Sequence, residues 1–293
     1  MKVALCLNGT LRGVNNCLPT LYKNVISVLD ADVLACFNRE HDDDHERIKK
    51  LPGNVIETRI DVQENLINIL PDIFWHTHFK LVTEILDSSN ECLVNYISPV
   101  LGSHASLIHR YNWYRLYKMM EKYLDRYDAF IVTRPDHYYL FPIFGLDFIK
   151  NNQEYMLNYN EHNFWGINAD FLIVSRENFI NWFGNNIKYF IDENYVYRLL
   201  DKIKQYPIKT SEVASMIICE EEQIKLKSFS INSFISADSL NECTSKVPIQ
   251  YDETNKHYFK YFETQYLPAI KNFNLYNNGH KWQDSKDGIY LYS

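Results

Sequence analysis

Arg134 and Asp136 stand two residues apart near the end of the stretch Y-D-A-F-I-V-T-R-P-D-H-Y-Y-L, Tyr127 to Leu140. The run Ala129 to Thr133 ahead of them is apolar and β-branched, too short for a helix and closed by Pro135, so it reads as a buried strand. Ligands of open α/β sheets bind in the crevice beyond the carboxyl ends of the strands, which places this charged pair well for chemistry. The competing reading is a strand-end ion pair, or a turn built on Pro135 and Asp136.

A second candidate is the segment Asn8-Gly9-Thr10-Leu11-Arg12-Gly13, between an N-terminal apolar run and a helix. Its glycines let backbone N–H groups approach an anion closely, and Arg12 can pair with a phosphate. It matches neither G-x-G-x-x-G nor a P-loop, and it reads equally as a strand-to-helix turn. A third candidate, Trp165-Gly166-Ile167-Asn168-Ala169-Asp170, sets Asn168 and Asp170 at the entrance of the apolar strand Phe171 to Val174. Glu212, just inside a helix expected from Ser211 to Glu222, is a further carboxylate or an ordinary acid at a helix start.

Two histidine-rich stretches invite a metal reading. His41-Asp42-Asp43-Asp44-His45-Glu46 lies among Arg47, Lys49 and Lys50 and reads as a solvated helix start. His76 and His78 have no third ligand at metal spacing. His280, in the tail, is solvated, folded over a bound group or part of a metal site.

These residues need elements to hold them. Lys2 to Leu7, Asp32 to Phe37 and Asn54 to Thr58 read as strands, with a helix to about Leu29, capped by Asn15 or Asn16, between the first two. This β-α-β-α-β alternation implies parallel strands and a Rossmann-like half-domain. Asp61 to Ser103 shows only helical pieces. A long amphipathic helix from His104 to Arg126 feeds the strand at Ala129, and its His109, Arg110 and Arg115 point either toward the crevice or, as the favoured reading, into water. Further helices are expected at Arg176 to Phe183 and Asn194 to Ile203. Beyond Ser239 the periodic cues fade, and residues 240–293 read as a segment that wraps the same domain formed by residues 1–239.

Composition narrows the partners. Lys and Arg total 30 against 37 Asp and Glu, a net charge of −7 with no basic block, which argues against nucleic acid. No stretch of about 18 uninterrupted apolar residues occurs, so no membrane span or signal peptide is expected. Six cysteines are scattered without a C-x-x-C pair and read as reduced thiols of a cytoplasmic protein. Aromatic residues reach 15%, with 22 Tyr and 17 Phe, suiting cores and also sugar or nucleobase sites.

The opening M-K-V-A-L-C-L-N-G-T-L-R-G, the Y-D-A-F-I-V-T-R-P-D run and W-G-I-N-A-D-F-L-I-V-S resemble bacterial and large-virus nucleotide-sugar glycosyltransferases of GT-A type, associated with surface polysaccharide or capsid glycan synthesis. The likeness runs from Met1 to about Phe234 and includes Ser211-Glu212, where the group often carries Pro-Glu. It implies a GT-A-like, mostly parallel α/β sheet flanked by helices, a UDP- or GDP-sugar donor, a glycan acceptor and, for a viral member, the host cytoplasm. It also implies that Gly9, Thr10 and Arg12 contact the nucleotide, and that Arg134 and Asp136 stand where related enzymes carry an Asp-x-Asp metal motif. With Arg134 in place of the first acid, either Asp136 helps bind Mn²⁺ or Mg²⁺, or Arg134 neutralises the diphosphate itself. By the same resemblance Asp170 is the catalytic base, with Glu212 as a second carboxylate. The rivals are a binding protein of this fold that has lost turnover, and another nucleotide-using transferase, which the missing P-loop lysine disfavours.

Overall fold

The structure, a computed structural model, describes residues 1–39, 43–62, 105–159, 167, 170–203, 205–206, 211–239, 249–253 and 257–292. The helical pieces expected between 61 and 103, His41, His76, His78, His104, Trp165, Gly166 and Asn168 fall wholly or largely outside these residues, as does the side chain of His109.

The N-terminal half follows the expected alternation. Strand β1 (Val3–Thr10) leads into helix α1 (Val14–Leu21), which continues through a wider turn at Tyr22–Ile26 and ends at Leu29. Strands β2 (Asp32–Arg39) and β3 (Asn54–Val62) flank the short helix α2 (Asp44–Ile48), and β1, β2 and β3 are all parallel. Helix α3 (Ala105–Met120) ends in a tighter turn at Glu121–Arg126 and delivers β4 (Ala129–Thr133), parallel to β1. Then come β5 (His137–Tyr139), helix α4 (Leu146–Asn151), β6 (Tyr155–Tyr159) and β7 (Phe171–Ser175), with β7 antiparallel to both β4 and β6. After helices at Arg176–Phe179, Lys188–Ile191, Glu193–Ile203 and Ser211–Glu221, strand β8 (Lys225–Phe229) returns parallel to β6.

The C-terminal segment completes two sheets. In the small one, β9 (Ser233–Ala237) pairs with β5 on one side and β11 (His257–Phe259) on the other, and β10 (Gln250–Asp252) forms the edge. Helix α5 (Leu267–Asn277) then leads to β12 (Lys281–Asp284) and β13 (Gly288–Tyr292), which extend the main sheet past β8. The main sheet thus runs β12-β13-β8-β6-β7-β4-β1-β2-β3. Five of its neighbouring pairs are parallel and three antiparallel.

Both faces of this sheet are covered, which explains the unbroken apolar runs in β1 and β4. Alternate residues of a strand face opposite sides. Leu5, Leu7, Val33 and Ile131 join a core under α1 and the small sheet, whereas Ala4, Cys6, Leu34, Phe130 and Val132 join another with Trp113, Leu116 and Trp182. The thiols of Cys6, Cys17, Cys36 and Cys219 are buried and unbridged.

Three local expectations are corrected. Strand β1 runs on to Thr10, because Gly9 and Thr10 still pair with Phe37 and Asn38 of β2, so the connecting loop is only Leu11 to Gly13. Helix α1 is not capped by Asn15 or Asn16. Gly13 takes the cap position at φ 61°, and the backbone N–H groups of Asn15 and Asn16 donate to the Asp238 carboxylate at 2.9 and 3.2 Å. Arg110 and Arg115 do not point into water: they are only 3% and 4% exposed. Arg110 donates to Asn186 and Ser215, and Arg115 to Asn112, neutral partners that spacing in sequence does not reveal.

Candidate active site

Strand β4 ends at Thr133, opposite Leu7 of β1, and this register brings the end of β1 and the turn Arg134-Pro135-Asp136 to the same edge of the sheet. The antiparallel partner β7 begins at Phe171, opposite Thr133, so Asp170 arrives at that edge from the other side. Arg134 joins the pieces. Its Nε and Nη2 donate to the two carboxylate oxygens of Asp136 at 2.8 and 2.6 Å, and its Nη1 donates to Asp170 Oδ1 at 3.3 Å. A planar fork meeting a carboxylate through two bonds is the strong form of such a pair.

The electrostatics follow from burial and contact. Asp136 is 2% exposed, and burial alone would raise its pKa. The Arg134 guanidinium, helped by His137 and Arg12, outweighs that cost and holds the carboxyl below the usual carboxylate range. Burial pulls Arg134 the other way, but Asp136 and Asp170 overcome it and keep the guanidinium firmly charged, with a contribution from the Tyr261 phenol. His137, fully buried beside this cluster, is pushed down to about 4 by burial despite the charges of Asp170 and Asp136, so its ring is neutral at pH 7.

The N-terminal candidate divides. Gly9 has φ 119° and open space where a side chain would stand, so a ligand can approach its backbone closely. Gly13 faces inward: an added Cβ would lie 2.9 Å from the Ser236 carbonyl oxygen. The carbonyl of Leu11 is tied down by Arg47 Nη1 at 2.6 Å, which fixes the loop carrying Arg12, whose charge reaches Asp136. The N–H groups of Asn15 and Asn16 in the first turn of α1 are filled by Asp238 and are not open to an external anion.

Glu212 lies in the first turn of the Ser211–Glu221 helix, and its backbone carbonyl accepts from the Ile167 N–H at 3.0 Å, three residues before Asp170. Its charge acts on Arg110, whose pKa burial lowers to about 10 and Glu212 partly restores. Gly9, Arg12, Arg134, Asp136 and Asp170 are therefore gathered at one sheet edge, Thr10 stays in the β1–β2 ladder, and Glu212 serves a neighbouring buried arginine. Among the described residues no group of three or more His, Cys, Asp or Glu side chains suits a metal ion, and Asp136 is already committed to Arg134. These residues do not fit a divalent cation at Asp136.

Sequence reading missed His137, Tyr261 and Asp238. His137 had a signal, its place directly after Asp136. Tyr261 and Asp238 had none, since they reach the site only through the pairing of β9 with β5 and β11. An open concavity of about 700 Å³, lined by Asp128, Glu154, Arg176 and Glu177 among others, lies at the opposite end of β4.

No protein-family model matches the chain, and no curated protein matches it in sequence. Among solved structures it is weakly similar to nucleotide-sugar transferases. Mouse xyloside xylosyltransferase 1 in its apo form is 12% identical over 78% of this chain and 84% of that one, with a TM-score of 0.44. Core-mannan synthase A from Aspergillus fumigatus, in a Mn/GDP form, is 9% identical over 78% of this chain and 72% of that one, with a TM-score of 0.45. The chain's own strand order gives a Rossmann-type α/β fold, with a mixed, mostly parallel sheet between helices. Likeness this distant says nothing about the chemistry of individual side chains. No helix among the described residues is long and apolar enough to cross a membrane.

Proposed function

We propose that the chain is a glycosyltransferase that moves a sugar from a nucleotide-diphosphate donor, UDP- or GDP-linked, to a hydroxyl of a glycan such as a surface polysaccharide or capsid glycan, in a cytoplasmic compartment. The observation that carries this reading is the Arg134–Asp136–Asp170 cluster at the carboxyl ends of β1 and β4, beside the open backbone of Gly9. In an inverting transfer the acceptor oxygen bonds to the anomeric carbon as that carbon's bond to the diphosphate oxygen breaks. Asp170 takes the acceptor's proton, and Arg134 and Arg12 meet the negative charge left on the nucleoside diphosphate. Asp136 orients Arg134, Gly9 and Thr10 border the nucleotide, and Glu212, engaged with Arg110, is assigned no step.

A second reading, a nucleotide- or glycan-binding protein without turnover, draws on the fact that Arg134 already occupies both acids. Calorimetry with UDP-, GDP-, TDP- and CMP-sugars, each with and without Mn²⁺, followed by turnover assays on Asp170→Asn, separates the readings. The transferase reading expects donor binding and a loss of turnover on the order of 10²- to 10⁴-fold in the variant, with donor affinity little changed. Binding by none of the donors, or activity indifferent to Asp170, would rule it out.

A further inference from the structure

His137 opens β5 and is fully buried, yet its Nε2 has no hydrogen-bond partner among the described residues. Its other ring nitrogen, Nδ1, lies 2.9 Å from Ser233 Oγ. Which nitrogen carries the proton follows from the far end of a buried chain of bonds. Asn232 Nδ2 donates to the Phe141 carbonyl at 3.1 Å, which orients that amide and makes its Oδ1 an acceptor. The Tyr159 hydroxyl donates to this Oδ1 at 2.8 Å, and its single hydrogen is then spent. Tyr159 must therefore accept from Ser233 Oγ, also at 2.8 Å, which uses the only hydrogen of Ser233. The serine oxygen is left to accept from His137, so the proton sits on Nδ1. Nε2 carries a bare lone pair.

A buried acceptor without a donor costs free energy, and such a group calls for a partner that the described chain does not supply, a water or a ligand. His137 directly follows Asp136 where the Arg134 turn enters β5, and the charges of Asp136, Asp170 and Arg134 all reach its ring. Carboxylates and a lone pair all accept, so the ligand group that fits among them is a donor. A sugar hydroxyl is such a group, and it also has a lone pair for Arg134. The three bonds of Arg134 to Asp136 and Asp170 use three of its five N–H groups, and the bond to Asp170 at 3.3 Å is looser than those to Asp136 at 2.6 and 2.8 Å.

We propose that His137 is a substrate-binding residue, locked in the Nδ1–H form by the Ser233–Tyr159–Asn232 chain, whose Nε2 accepts a hydrogen bond from a hydroxyl of the transferred sugar. The identity of the ligand rests on the transferase reading; the tautomer does not. Long-range ¹H–¹⁵N correlation on ¹⁵N-histidine protein reads the tautomer directly, and an Nε2–H pattern for His137 overturns the proposal. Titration with UDP-glucose and GDP-mannose is expected to move the Nε2 resonance toward its protonated position, whereas bare UDP and GDP leave it in place. A sugar nucleotide that binds without moving Nε2 overturns the assignment.

If no nucleotide binds, the transferase reading fails by itself, and free glucose, mannose, galactose and xylose then decide. Movement of Nε2 keeps a hydroxyl site, while no movement in any arm leaves a buried water and sinks the proposal. As a second measure, His137→Leu is expected to lose about tenfold of the affinity ratio between sugar nucleotide and bare nucleotide, and His137→Gln, which keeps an acceptor at that reach, to retain it. Equal ratios in the two variants would count against the hydroxyl contact.

Discussion

A carboxylate as deeply buried as Asp136 survives as an anion chiefly because Arg134 grips both of its oxygens. Replacing one member of such a pair leaves the other charge stranded, at a cost of about 3–5 kcal/mol. Arg134→Met should therefore lower stability by roughly that amount at pH 7 in urea unfolding. The pH dependence gives a sharper test. With Arg134 present, Asp136 titrates below the ordinary carboxylate range when folded, so its contribution holds above pH ~4 and fades as pH falls through the lowered value. Without Arg134, burial raises the Asp136 pKa, the folded state binds the proton more tightly than the unfolded state, and the deficit should shrink as the medium is acidified from pH 7 toward 5. A deficit that is flat with pH would show that Asp136 is not the group left unpaired.

At the scale of elements, the connection from β1 to α1 decides how much of the N-terminal segment remains for a ligand. Helix starts leave N–H groups unsatisfied and attract anions. Here the chain supplies its own, since Asp238 at the end of β9 accepts from Asn15 and Asn16, while Gly13 packs on the Ser236 carbonyl. The same contact ties the small sheet to the main one beside the candidate site. Asp238→Ala should cost about 0.5–2 kcal/mol of stability, the usual price of a lost cap. Hydrogen exchange should quicken first at the amides of Asn15 and Asn16, and unchanged protection there would show that the cap is not formed in solution. Gly9 keeps an open flank and a positive φ, and so remains the part of this connection that a phosphate can reach.

For the whole molecule, the segment beyond Ser239 belongs to the architecture. β13 covers the edge of β8, β11 pairs with β9, and Lys227 holds Asp284 of β12 at 2.5 Å. Phe141 stacks on Tyr276 and Trp282, with ring centres 5.1 and 5.8 Å apart, so α5 and β12 close over the core next to β5. Truncation after Ser239 would bare two strand edges and this aromatic cluster. The shortened chain is expected to aggregate or to lose cooperative unfolding, as light scattering and urea titration would show. A monomeric, cooperatively folding product would mean that the segment is an accessory cover.

Periodicity in the chain determined the elements that carry the candidate site. The apolar run Ala129 to Thr133, the alternation of strands and helices up to Thr58 and the strand from Phe171 are local patterns, and hydrophobic spacing writes such patterns directly into the sequence. Arg134, Asp136 and Asp170 could therefore be singled out before any contact between them was known. The tertiary structure alone decided which partners meet: Asp238 with the start of α1, Arg110 with Asn186 and Ser215, and His137 with Ser233, Tyr159 and Asn232. Those pairs are set by strand register and by the need of each buried polar group for a donor or acceptor, conditions that exist only once distant segments are packed together.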